Sequence, residues 1–117
     1  MDKNLTVLEK RVELSKLFDF YGELLKDGQR QIFEDYVFND YSISEIAKEH
    51  DVSRQGIFDT VKRCSKALEE YEDRLHLIEK FEKTKDIIGR INAIAAEGHD
   101  ERFKEIERLS AGIIDIL

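Results

Sequence analysis

Not one of the 117 residues is proline, and that omission constrains the fold more than any other feature of the chain. Proline breaks helices because it lacks an amide donor and its ring clashes with the preceding turn. Apolar residues recur at helix spacing throughout, and the strict alternation of a half-buried strand is missing. These features predict an all-α protein. Hydrophobic residues make up 41% of the chain and charged residues 38%, enough for a core inside a hydrated surface. No apolar run nears the roughly 18 residues that a membrane-crossing helix needs.

The spacing predicts a first helix over residues 5–25, with Leu14, Leu17, Phe18, Tyr21, Leu24 and Leu25 as its apolar stripe. Asp27-Gly28 reads as a turn, with Asp27 capping a second helix that buries Ile32, Phe33, Tyr36 and Val37. Asn39-Asp40 closes that helix. Ser42 and Glu45 have the spacing of a capping box, which starts a short third helix ending near Glu49 or His50. Asp51-Val52 makes the next turn. Ser53 then caps a fourth helix, whose Ile57, Val61, Cys64 and Leu68 face inward.

Beyond Tyr71 the pattern changes. Leu77, Phe81, Thr84, Ile88, Ile91 and Ala95 repeat every four and three residues, as at heptad seam positions. Gly98 interrupts them, and Asp100 can cap a last helix carrying Phe103, Ile106, Leu109, Ile113 and Ile116. The expected organisation is a helical domain over residues 1–71 and a helical hairpin over 72–117 that touches it. The seam fits packing within the hairpin and fits a homodimer through 72–117. Of the two, the dimer is preferred.

Residues 42–61, SISEIAKEHDVSRQGIFDTV, carry the function. A helix-turn-helix needs two helices crossing steeply over a short turn. Ala47 supplies the small residue at the crossing, and Ile46, Val52, Ile57 and Val61 are spaced as a miniature core. Asp51 stands where a left-handed backbone often favours glycine. Ser53 starts the second helix with its first turn free to face a major groove. Its outward residues are Arg54, Gln55, Phe58 and Asp59. Arginine can fork onto guanine and glutamine onto adenine. Lys62, Arg63 and Lys66 follow, where phosphates would lie. Gly56 costs about 1 kcal/mol of helix propensity against alanine, and close approach of the backbone to DNA is the expected reason for it.

The overall charge opposes this reading. Net charge is −7, divided as zero over residues 1–26, −4 over 27–71 and −3 over 72–117. Nucleic-acid binders usually carry a basic footprint, so any DNA contact must be local. An acidic surface suits basic protein partners better.

At the motif the chain resembles region 4 of bacterial sigma factors, the part that reads the promoter −35 element. Over NLTVLEKRVELSKLFDFYGELL (4–25), QRQIFEDYVFNDYSISEIAKEHDVSRQGIFD (29–59) and KALEEYEDRLHLIEKF (66–81) it is similar to the YlxM family of small helix-turn-helix proteins from Gram-positive bacteria. The likeness is specific up to Phe81 and looser beyond. Genes of that family typically sit beside those of the signal recognition particle protein and its receptor. The resemblance therefore implies a DNA-binding transcription regulator connected with the signal recognition particle pathway. The alternative it leaves open is a protein-interaction module for a component of that particle or its RNA. It brings no catalytic residues; the positions it carries over are those of the recognition helix, Ser53, Arg54, Gln55, Gly56, Phe58, Asp59, Lys62, Arg63 and Lys66.

Other chemistry finds little support. His50, His76 and His99 are far apart in sequence, and Cys64 alone cannot complete a zinc site with them. Cys64 lies on the inward stripe and reads as a small core hydrophobe. There is no glycine-rich phosphate loop, so neither an enzyme nor a cofactor is expected. The single cysteine and the start Met1-Asp2-Lys3-Asn4, which lacks the pattern of a secretory signal, lead to the expectation of a cytoplasmic protein.

Overall fold

The structure, a computed structural model, describes residues 7–117. It contains six α-helices and no strand among those residues: α1 Val7–Tyr21, α2 Asp27–Val37, α3 Ile43–His50, α4 Arg54–Leu75, α5 Leu77–Ala96 and α6 Glu101–Ile116. The chain divides between His76 and Leu77 into two compact units. Helix α4 therefore runs past the change of pattern at Tyr71, and His76 ends it in a left-handed conformation with φ 55°.

The first unit is built on helices whose apolar stripes converge. Leu14, Leu17 and Tyr21 of α1, Phe33 of α2, Ile46 of α3 and Ile57, Cys64 and Leu68 of α4 are buried. Phe18 stacks on Phe33 at 5.7 Å and meets the edge of Phe38 at 5.4 Å. Full burial of one such side chain is worth about 1.5–3 kcal/mol, so this stripe outweighs local propensity. The buried Tyr21 donates its hydroxyl to Glu72 Oε1 at 2.5 Å, tying the end of α1 to the end of α4.

Two local expectations are corrected here. The first helix ends at Tyr21 and passes into a 3₁₀ turn, Gly22–Leu24. A Cβ on Gly22 would lie 2.8 Å from the Phe18 ring, so this close approach needs glycine. The tighter winding of the 3₁₀ turn leaves Leu24 exposed while Leu25 stays buried. The start of the expected helix at Leu5 falls outside the described residues. Asp27 does not cap α2. Lys26 holds the N-cap position without a side-chain bond, and Asp27 is already helical, its carboxylate 3.4 Å from Arg30. An acidic residue there still favours the helix through the dipole at its N-terminus.

The second unit is a hairpin of α5 and α6 joined by a four-residue turn. A Cβ on Gly98 would fall 2.1 Å from Phe103 Cγ, so the turn closes only around glycine. Asp100 caps α6, accepting from the Arg102 amide at 2.7 Å. Arg102 also faces the Asp100 carboxylate, which holds that carboxyl below its ordinary range. Ile78, Ile88, Ala95 and Ser110 are buried, and Ser110 donates to Asn92 and shares the Ile106 carbonyl at 2.7 Å. The seam departs from the heptad expectation: Leu77 and Ile91 are exposed, while Ile78 is buried and Asn92 half-buried. A straight helix of 3.6 residues per turn drifts from a 3.5-residue stripe, and the Asn92–Ser110 bond fixes the face that turns inward.

That choice leaves an apolar flank in water. Ile87, Ile91 and Ile94 of α5 and Ile106, Leu109, Ile113 and Ile116 of α6 are exposed, Ile94 at 67%. At about 100° per residue each set lies to the same side of its buried line, and antiparallel packing brings both onto one face of the hairpin.

Candidate nucleic-acid interface

The corner between α3 and α4 is fixed by short-range chemistry. The Glu45 amide donates to Ser42 Oγ at 3.1 Å and the Ser42 amide to Glu45 Oε1 at 3.3 Å, completing the capping box. Helix α3 ends at Asp51, whose φ of 54° and ψ of 47° place it in the left-handed region. The amides of both Asp51 and Val52 donate to the Ala47 carbonyl, the latter at 3.0 Å. Ser53 then turns extended, and its Oγ accepts from the Gly56 amide at 2.9 Å to start α4. Ile46 and Ile57 are fully buried across the corner, and Ala47 is buried with them. This is the geometry of a helix-turn-helix.

Val52 contributes less than its spacing suggests. It is 40% exposed, so Ile46, Ala47, Ile57 and Val61 form the small core. Gly56 is explained within the chain: a Cβ there would meet Val52 Cγ1 at 2.8 Å and Ser53 Oγ at 3.0 Å. The missing side chain makes room for the turn that caps its own helix, a reason for glycine that lies within the chain.

Outward from this core, Ser53, Arg54, Gln55, Phe58, Asp59, Lys62, Arg63 and Lys66 are all exposed, and Gly56 is half-buried. Helical geometry groups Gln55, Asp59, Lys62 and Lys66 along the side opposite the core, with Arg63 further round. Arg54, Lys62, Arg63 and Lys66 form no salt bridge among the described residues. Gln55 donates its amide to Asp59 Oδ1 at 2.9 Å, so the strip carries one carboxylate beside its base-reading candidate. The surface is a short cationic strip with an acidic interruption. It is not a broad basic field.

A helix-turn-helix family model, described as "Putative helix-turn-helix protein, YlxM / p13 like", matches residues 8–108. The chain belongs to the UPF0122 family. Among its relatives, the UPF0122 protein BH2485 of Halalkalibacterium halodurans is 45% identical over 85 residues, spanning 73% of this chain and 78% of the relative. The UPF0122 protein YlxM of Bacillus subtilis is 38% identical over 94 residues, spanning 80% and 86%. A UPF0122 protein of Bacillus thuringiensis is 39% identical over 102 residues, spanning 86% and 93%. The matched region covers the whole corner and all of α4.

Two other groups of this UPF0122 chain, His50 and Cys64, serve structure. His50 Nε2 lies 2.8 Å from Asp35 Oδ2, fastening the end of α3 to α2. Burial pushes the Cys64 thiol up, against the nearby Arg63 charge, which leaves it a poor nucleophile. The described residues contain no cluster of His, Cys, Asp and Glu able to hold a metal ion. No described helix is long and apolar enough to cross a membrane.

Sequence reasoning missed a groove beside α4. It holds about 480 Å³ and draws on α1, α2, α3 and α4. Its one legible signal is Phe58, a large apolar residue on an outward position and 55% exposed.

Proposed function

We propose that this protein is a DNA-binding transcription regulator of the bacterial cytoplasm that reads bases through the start of α4. The observation that carries this reading is the solvent-facing first turn of α4, with Arg54 and the lysines beyond it forming no salt bridge among the described residues. Arg54 and Gln55 are assigned to base edges, and Asp59 can accept from a cytosine amine. Ser53 and Gly56 hold the helix start against the backbone, and Phe58 supplies apolar contact. Lys62, Arg63 and Lys66 meet phosphates. Fluorescence anisotropy on duplexes selected from a random library tests this. Arg54→Ala is expected to weaken binding by about 1–3 kcal/mol and relax preference at one base. Binding unaffected by Arg54→Ala would refute the assignment.

The same reading makes the protein a homodimer through residues 72–117. The seven exposed isoleucines and leucines of the hairpin face, at on the order of 100 Å² each, approach the roughly 800 Å² per partner of a standard interface. They also exceed the apolar patch of most monomers. A monomer in sedimentation equilibrium at micromolar concentration would dismiss the dimer.

A second reading is a module that binds a component of the signal recognition particle instead of DNA. The net charge of −7 and the Asp59 carboxylate within the cationic strip favour it. Recovery of a stoichiometric protein partner after nuclease treatment supports this reading, and recovery of DNA alone ends it.

A further inference from the structure

We infer that the groove beside the recognition helix is a docking site for an acidic amphipathic helix of a partner protein. This inference stands apart from DNA binding and does not depend on it. The apolar lining of the groove is Leu14, Ile43, Phe58 and Val61, the first and last buried and Phe58 exposed. Tyr36 forms a wall that is already fixed, because Arg11 lies 5.1 Å over its ring and is itself held by Asp40. Three lysines stand at the edge: Lys10 on α1, and Lys62 and Lys66 on α4. Glu69 faces Lys10 at 3.2 Å, which leaves the rim with a net positive charge.

Three features select the occupant. The first is charge: a positive rim on a chain of net charge −7 marks the groove as a place for negative side chains. The second is length. Phe58 and Glu69 line the groove three turns apart on α4, roughly 16 Å, a span that suits a short helix. The third is backbone chemistry. No strand edge exists among the described residues to pair with an extended peptide, so a guest on an apolar lining must satisfy its own amides. A helix does so. Lys62 and Lys66 would then be shared between this guest and phosphates, and occupancy of the groove would compete with DNA.

The test uses the full chain and a fluorescein-labelled helical peptide of roughly 16 residues, with leucines at i, i+3, i+4, i+7 spacing and glutamates flanking them. Binding is expected in the micromolar range, at least tenfold tighter than for the same peptide with lysine in place of glutamate. Lys10→Glu is expected to weaken it about tenfold, and Phe58→Ala at least fivefold, with circular dichroism unchanged in both. Lys10 lies on α1, outside the residues assigned to DNA, so loss of peptide binding in Lys10→Glu is read independently of any DNA result. Equal affinity for the two peptides, or no saturation up to millimolar concentration, overturns the inference. So does decanoate filling the groove while the peptide does not. Self-association abolished by Phe58→Ala without peptide binding would reassign the groove to a second copy and overturn it as well.

Discussion

Replacing Ile57 by alanine tests the corner that presents the start of α4. Ile57 is fully buried where α4 crosses α3, one turn from Arg54. The change removes three carbon atoms. At about 0.8 kcal/mol for each buried methylene the transfer loss alone is about 2.4 kcal/mol, and the cavity left behind raises the total into the range of about 2–5 kcal/mol. A clean reporter exists, because all four tyrosines, Tyr21, Tyr36, Tyr41 and Tyr71, lie in the first unit and there is no tryptophan. Tyrosine fluorescence in urea therefore follows that unit alone. A loss near 3 kcal/mol corresponds to a fall in melting temperature of roughly 12–24 °C for a unit of this size. Phe58→Ala, one residue along but exposed, is expected to cost less than about 0.5 kcal/mol. If Ile57→Ala cost under about 1 kcal/mol, or matched Phe58→Ala, the account of the corner would be wrong.

Gly56→Ala would stabilise an ordinary exposed helix by about 1 kcal/mol, but the contacts with Val52 and Ser53 are expected to reverse the sign, read as a lower urea midpoint. Cys64 gives a pH dependence. Its thiol is raised in the folded protein, so the stability tied to its protonated form is fully present below the unfolded thiol value of about 8.5 and falls as pH rises beyond it. The urea midpoint of the wild type should drop more steeply above that pH than that of Cys64→Ala, and Ellman's reagent should react slowly until the protein unfolds. Asp100 works in the opposite sense. Its carboxyl is lowered by Arg102, so its capping contribution is present at neutral pH and lost as pH falls through the folded value, and Asp100→Asn should flatten the acid loss of helix measured by circular dichroism.

The parts of this fold that were legible in the sequence are those fixed within a few residues. Ser42 with Glu45, Asp51 and Ser53 act on their own neighbours, so their spacing alone specifies the caps and the turn. The parts that were not legible depend on residues distant in sequence or on a choice between equivalent faces. Asp27 has the chemistry of a cap, yet the backbone enters α2 one residue earlier, at Lys26. Gly22 looks like any helix residue until the Phe18 ring is placed beside it. The seam of α5 offers both Ile91 and Asn92, and the partner that decides between them, Ser110, is eighteen residues away. In the candidate site the exposed cations were readable from periodicity. The groove was not, because Lys10 and Leu14 reach it from α1, and only tertiary packing sets them against Phe58.

The central claim, that the outward side of α4 holds DNA phosphates, is tested most directly by the salt dependence of binding for the wild type and for a Lys62→Ala, Lys66→Ala double variant. Each phosphate contact contributes about −0.9 to the slope of log affinity against log salt concentration. The account predicts a slope shallower by nearly two per engaged protomer in the double variant, with its fold unchanged. An identical slope in the two proteins would place the phosphates on some other surface and contradict it.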